Sequence, residues 1–221
     1  MLDGPRRVIT FDEPLEPYLP KAGHVPLPPY IHEPLNRPER YQTVYAKYPG
    51  SAAAPTAGLH FTKKLIQNLK ERGIGFCSVT LHIGLDTFAP LTEEDPEQHR
   101  IHTEWCQLTP ETASTIAQAR SAGGRIVAVG TTSVRTLETA ARSASPREVV
   151  APFVGPTDLF ILPGFEFSVV DALITNFHLP RSTLLMLVSA FVGRETILQA
   201  YQAARAQGYR FYSFGDAMLI L

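Results

Sequence analysis

The stretch GRIVAVGTTSVRTLE, residues 124–138, decides the fold. Ile126 to Val129 is a short β-branched apolar run bounded by glycines, the pattern of a strand covered on both faces. Gly130 to Ser133 follow as a small-residue loop, and a helix is expected from about Val134. Backbone N–H groups at a helix start, with the hydroxyls of Thr131, Thr132 and Ser133, make a donor-rich place for an anion or a nucleotide. Arg135 and Glu138 lie three apart, so they share one face of the first helical turn and can act together. The same pattern also describes an ordinary strand–loop–helix with a Ser/Thr cap. The ligand reading therefore needs support from the rest of the chain.

Working outward, Thr157–Gly164 and Val169–Phe177 read as further strands, and Tyr209–Ser213 and Ala217–Leu221 as short ones. Phe76–His82 alternates, with Cys77, Val79 and Leu81 on one face, and delivers His82 at its carboxyl end beside a glycine loop. Helices are expected over Arg37–Ala46, from a Thr62 cap to Gly73, from Thr109-Pro110 to Gly123, over Arg181–Val192 and over Arg194–Gln207. Strands alternating with helices predict an α/β fold, a mostly parallel sheet flanked by helices. Ligands in such sheets sit beyond the carboxyl ends of the strands. The start reads differently: Arg6–Phe11 is a single alternating strand, and seven prolines follow between Pro14 and Pro34. A lone strand is not stable, and prolines this dense impose extended backbone.

With 221 residues and 44% hydrophobic content the chain can bury a sizeable core, and a net charge of −1 announces no global attraction to nucleic acid. A local Lys/Arg patch can still bind RNA. Cys77 and Cys106 form no CxxC pattern, which suits a reducing compartment. The apolar run Leu184–Val192 is too short to span a bilayer. A soluble, cytoplasmic protein without membrane contact is the expectation.

Imidazoles fall at expected loops and strand ends: His60, His82, His99, His102 and His178. The tightest cluster, His99, His102 and Glu104, matches neither HExxH nor a Cys/His zinc pattern, so no metal is expected. Asn176-Phe177-His178-Leu179-Pro180-Arg181-Ser182-Thr183 carries an amide, an imidazole, a guanidinium and two hydroxyls just before a helix, which reads as a site. Asp158 and Asp216 stand beside apolar strands, where a turn role competes with a functional one. GxSxG, Walker A and GxGxxG patterns are absent, which lowers the hydrolase, NTPase and dinucleotide readings.

Seven segments, taken together, carry a resemblance. They are YQTVYAKYPGSAAAPTAGLHFT, LHIGLDTF, HRIHTEW, GGRIVAVGTTSVRTLE, TDLFILPG, DALITNFHLPRSTLLMLVSAF and YRFYSFGDAMLI. In order and spacing they resemble the S-adenosylmethionine:tRNA ribosyltransferase-isomerases of queuosine biosynthesis, from about Arg6 onward. The resemblance implies transfer and isomerisation of the ribosyl group of S-adenosylmethionine onto 7-aminomethyl-7-deazaguanine in tRNA. Epoxyqueuosine-tRNA, adenine and methionine are the implied products. S-adenosylmethionine is then a consumed co-substrate and no cofactor is expected. The partner is the tRNA, and a monomer is expected.

Two departures from the family stand out. The chain is expected to lack the family's N-terminal third, so that residues 1–28 are the remnant of an inserted small β-barrel and residues 29–221 an α/β catalytic domain incomplete at its start. Asp86 stands where the family usually has glycine. On this reading His60, His82, His102, Glu104 and His178 are candidates for base or proton shuttle. Glu104, Glu138 and Asp158 suit the sulfonium cation. Arg135, Arg181 and the Thr131–Ser133 amides suit the methionyl carboxylate, with Asn176 and Ser182 completing the binding set. Arg40, Lys47, Lys63 and Lys64 are candidate phosphate contacts. Two other readings remain open: a non-catalytic remnant that still binds RNA or nucleoside, and a nucleotide-binding α/β module unrelated to tRNA.

Overall fold

The structure is a computed structural model, and it describes residues 9–15, 17–84, 101 and 103–221. Its helices are α1 (Leu19–Ala22), α2 (Lys63–Glu71), α3 (Pro110–Ser121), α4 (Thr131–Arg142), α5 (Thr183–Val192) and α6 (Arg194–Ala206). Its strands are β1 (Thr80–His82), β2 (Glu104–Leu108), β3 (Val127–Val129), β4 (Phe153–Thr157), β5 (Ala172–Asn176) and β6 (Ala217–Ile220). Most helix boundaries follow from local chemistry. The Thr62 and Thr109 hydroxyls accept the N–H groups of Leu65 and Thr112, and Pro110 fills the first helical position of α3. Gly193, at φ 84°, makes the break between α5 and α6, a conformation that needs no Cβ.

The strands form two sheets, ordered β1-β2-β4 and β3-β5-β6. The first is antiparallel throughout, and in the second β3 runs parallel to β5 while β6 runs antiparallel to it. The architecture is mixed α/β, and the expectation of a mostly parallel sheet is corrected. The burial patterns give the reason. In β2, buried Glu104, Cys106 and Leu108 alternate with outward Trp105 and Gln107, as in an antiparallel sheet with one face in solvent. In β5 four of the five residues are buried, as in a strand covered on both faces.

Other expectations also change. No described residue between 9 and 28 is in a strand, and the barrel expectation for Arg6–Val8 lies outside the described residues. The helix expected over Arg37–Ala46 is a single 3-10 turn, Pro38–Tyr41. Tyr41 and Thr43 are both buried while Gln42 between them is exposed, a two-residue alternation that an α-helix cannot give. The strand expected over Thr157–Gly164 lies earlier, ending at Thr157, because it carries Gly155 and Pro156 at a sheet edge where proline is tolerated. Beyond it, side chains take the backbone groups: Arg135 donates to the carbonyls of Thr157 and Leu159, and the Leu159 N–H donates to Thr157 Oγ1. Residues 209–213 turn instead of forming a strand, and β2, which no periodicity announced, begins on a buried glutamate.

Leu108, Val134, Leu137, Leu173, Val188 and Ile220 form part of one core that the two sheets share with helices α3 to α6. Two charged side chains of α4 are buried within it. Arg135 Nη1 lies 2.5 Å from Glu104 Oε2, with both side chains almost wholly enclosed. Burial pushes the Arg135 guanidinium below its ordinary range, and the Glu104 charge opposes that shift. Glu138, 1% exposed, accepts the N–H groups of Ser168, Val169 and Val170 at 2.9, 3.1 and 3.0 Å. It thereby fixes the approach to β5. Removing one partner of a buried ion pair leaves an uncompensated charge, so Glu104→Gln or Arg135→Met is expected to cost about 3–5 kcal/mol in urea denaturation. The double variant Glu104→Leu with Arg135→Met is expected to cost much less than the two single costs added together. Single variants that unfold like the wild type would remove the pair from the framework.

Candidate active site

Because β3 and β5 are parallel, their carboxyl ends open at one edge of the sheet. After β3 the chain turns at Gly130, φ 92°, directly into α4. Thr131, Thr132 and Ser133 are therefore the first turn of that helix, not a loop before it. Gly130 offers no side-chain cap, so the leading N–H groups of α4 keep their donor capacity. After β5 come Phe177 to Arg181, then Ser182, whose hydroxyl caps α5 by accepting the Leu185 N–H at 3.2 Å. The helix expected from Arg181 thus starts at Thr183, because Arg181 adopts a left-handed φ of 52°.

Between these ends lies a cavity of about 430 Å³. Its floor is the paired helix starts, Thr131 and Thr132 of α4 with Thr183 and Leu184 of α5. Thr175 to Arg181 form one wall, Ala53 to Ala57 another, and Tyr30 and Tyr212 a third. A second cavity of about 20 Å³ shares the floor residues and reaches Glu104 and Arg135. Polar contacts tie the walls together. Asn176 Oδ1 accepts from Thr56 Oγ1 at 3.0 Å, and its Nδ2 lies 3.3 Å from His60 Nε2. His178 Nε2 lies 2.9 Å from Thr175 Oγ1, and the His178 N–H donates to the Tyr201 hydroxyl at 2.8 Å. Burial pushes the His178 imidazole down to about 4, so it is neutral at neutral pH.

The structure brings Thr131, Thr132, Asn176, His178, Arg181 and Ser182 to this cavity. It places the other candidates elsewhere. His60 stands behind Asn176, and Ser133 donates to the Val129 carbonyl. Glu104, Arg135 and Glu138 are bound into the interior, and Asp158 is exposed on the segment after β4. His82 lies on the other sheet, its ring centroid 5.1 Å from that of Trp105, and its Nδ1 is buried without a hydrogen-bond partner. His99, His102 and Asp86 lie outside the described residues. Sequence reasoning missed Tyr30, Thr175 and Tyr212, and it read the small-residue stretch Ser51–Phe61, which holds Thr56, as a loop a ligand could approach without singling out that threonine. Thr175 directly precedes the singled-out Asn176–Thr183 run, so widening that segment by one residue would have caught it.

A family profile described as "Queuosine biosynthesis protein" matches residues 2–220. The chain belongs to this family. It is similar to S-adenosylmethionine:tRNA ribosyltransferase-isomerases from Symbiobacterium thermophilum, 58% identical over 217 residues, and Moorella thermoacetica, 59% identical over 218. Each alignment covers 97% of this chain and 63% of the relative, so the chain spans somewhat less than two thirds of their length. Among solved structures it is similar to an S-adenosylmethionine tRNA ribosyltransferase from Thermotoga maritima, with a TM-score of 0.62 and 52% identity. That match covers 75% of this chain and 51% of the other.

The state of His178 gives a measurable pH dependence. The folded protein keeps it neutral down to about pH 4, whereas its ordinary value of 6.5 applies in the unfolded chain. Its contribution to stability is therefore complete above pH 6.5 and is lost as the pH falls from there towards 4, by about 3 kcal/mol in all. His178→Asn is expected to flatten that part of the stability profile in parallel urea titrations at neutral and mildly acidic pH. Wild type and variant differing by the same amount at both pH values would show that His178 is not held neutral by burial.

Proposed function

We propose that this chain acts with S-adenosylmethionine and tRNA in queuosine formation. The reaction moves and isomerises the ribosyl group onto the 7-aminomethyl-7-deazaguanine of the tRNA, releasing adenine and methionine. The observation that carries the reading is the cavity at the carboxyl ends of β3 and β5. Its volume, about 430 Å³, lies within the range of small-molecule sites, and two helix starts face into it. Helix N-termini favour an anion, which suits the methionyl carboxylate, and the exposed Arg181 stands on the adjacent wall.

The sulfonium acidifies the ribose C5′ proton, and a positioned base is needed to remove it. Among the described residues, His178 is the candidate histidine that lines the cavity. Neutral at physiological pH, it can face the sulfonium cation without repulsion. If Nε2–H donates to Thr175, Nδ1 remains as the acceptor. The carbanion expels adenine, the tRNA aminomethyl group is alkylated, and closure of the epoxide releases methionine. Exposed Lys63 and Lys64 at the start of α2, together with Lys47 and Arg40, are suited to tRNA phosphates. We read the protein as a cytoplasmic monomer. No helix among the described residues is long and apolar enough to cross a membrane.

The test has two parts, both on the 221-residue chain. S-adenosylmethionine at about a hundred times its dissociation constant is expected to add about 2.7 kcal/mol of stability, visible as a raised melting temperature. Adenine release is expected only with tRNA carrying the aminomethyl base, and His178→Ala is expected to abolish it while the fold is retained. Ligand binding without adenine release would leave a binding remnant. Ligand binding with adenine release that does not need tRNA would favour the unrelated nucleotide-binding reading. A melt that ignores S-adenosylmethionine would remove the proposal.

A further inference from the structure

Among the described residues, Arg181 (φ 52°) and Tyr212 (φ 71°) are the non-glycine residues in the left-handed region. Both line the same cavity. A bulky side chain rarely adopts this conformation, and such strain gathers at functional sites. The turn that carries Tyr212 is fixed from several directions. The Tyr212 N–H donates to the Phe177 carbonyl at 2.9 Å, and the Gly215 N–H returns to the Tyr212 carbonyl at 3.0 Å. Asp216 accepts the Arg210 N–H at 2.8 Å and pairs with its guanidinium at 2.7 Å. Gly215 leaves no room for a side chain, since a Cβ there would fall 2.4 Å from the carbonyl oxygens of both Arg210 and Phe211. The backbone that carries the tyrosine is thus held in place by the turn around it.

Tyr30 supports the same wall. Its hydroxyl lies 2.7 Å from Ser213 Oγ, and its ring centroid is 5.1 Å from that of Tyr212, with the planes tilted by 46°. Rings this close leave no slot between them, so a planar ligand stacks on the outside of the pair. The lining therefore offers two kinds of contact. Helix starts and Arg181 serve an anion, and the tyrosines with Pro29 offer an apolar, aromatic surface. A nucleoside joined to an amino acid calls for both, an aromatic surface for its purine and donors for its carboxylate.

We propose that Tyr212, backed by Tyr30, is the wall on which the adenine of S-adenosylmethionine stacks, and that it sets specificity for the nucleobase. This assignment rests on the reading of the cavity as the S-adenosylmethionine site. Tyr212→Gly removes the ring and leaves a residue at ease at φ 71°, so its ligand-free melting temperature is expected to match or exceed that of the wild type. Its affinity for S-adenosylmethionine and for adenosine, by calorimetry, is expected to fall about tenfold or more. Tyr212→Phe is expected to keep both affinities. Tyr30→Leu, which retains bulk but no aromatic face, is expected to lose part of them. Wild-type affinity in Tyr212→Gly would overturn the proposal while leaving the functional reading intact. A loss confined to the KM for tRNA would also overturn it, placing the RNA base on this wall instead. Absence of S-adenosylmethionine binding by the wild type itself would defeat both together.

Discussion

The buried guanidinium of Arg135 is the constraint on which the rest of the structure depends. It starts from the first turns of α4 and reaches Glu104 on β2 and the carbonyls of Thr157 and Leu159 at the end of β4. One sheet and one helix are thereby locked to a single planar group, whose fork can serve a carboxylate and carbonyls together. Burying both charges is costly, and only a fully bonded arrangement offsets that cost. The same bonds settle the direction of α4. They aim its uncapped N-terminus at the cavity, so a side chain outside the cavity orients one of its helix starts.

Glu138, one turn further along α4, works in the same manner on the other side. Its three backbone acceptances gather residues 168–170 and set β5 at its register against β3. Asp171 completes this edge, accepting from Arg120 at the end of α3 and from the Ile126 N–H ahead of β3. The walls of the cavity are thus positioned by carboxylates that never face it.

This division explains what the sequence disclosed and what it withheld. The strand–helix succession at residues 124–138 and the Thr62 and Thr109 caps were legible because short-range chemistry produces them, but the cover expected on both faces of β3 is corrected, since it is an edge strand with Val127 exposed. The polar run from Asn176 to Thr183 was legible because so many hydrogen-bonding groups beside an apolar segment require a purpose. The roles of Arg135 and Glu138 were not, since a charged residue in a helix start looks the same whether it meets a ligand or a buried carbonyl. β2 was hidden because its first inward residue is a glutamate, which mimics a solvent position. Tyr30 and Tyr212 lie far apart in the chain, and nothing local announces that a turn near residue 212 will bring them to one wall.

The pairing of β5 bears on when the protein becomes competent. That strand carries Asn176 and leads to His178, and it lies between β3, more than forty residues earlier, and β6, more than forty later. A nascent chain can therefore form the helix pair α5 and α6 from local contacts, but it cannot close the sheet until residues 217–220 have emerged from the ribosome. Non-local closure of this type is slow compared with helix formation. This edge of the sheet therefore closes after the helix pair, and until it does the apolar strand β5 has one side open to a chaperone or to aggregation.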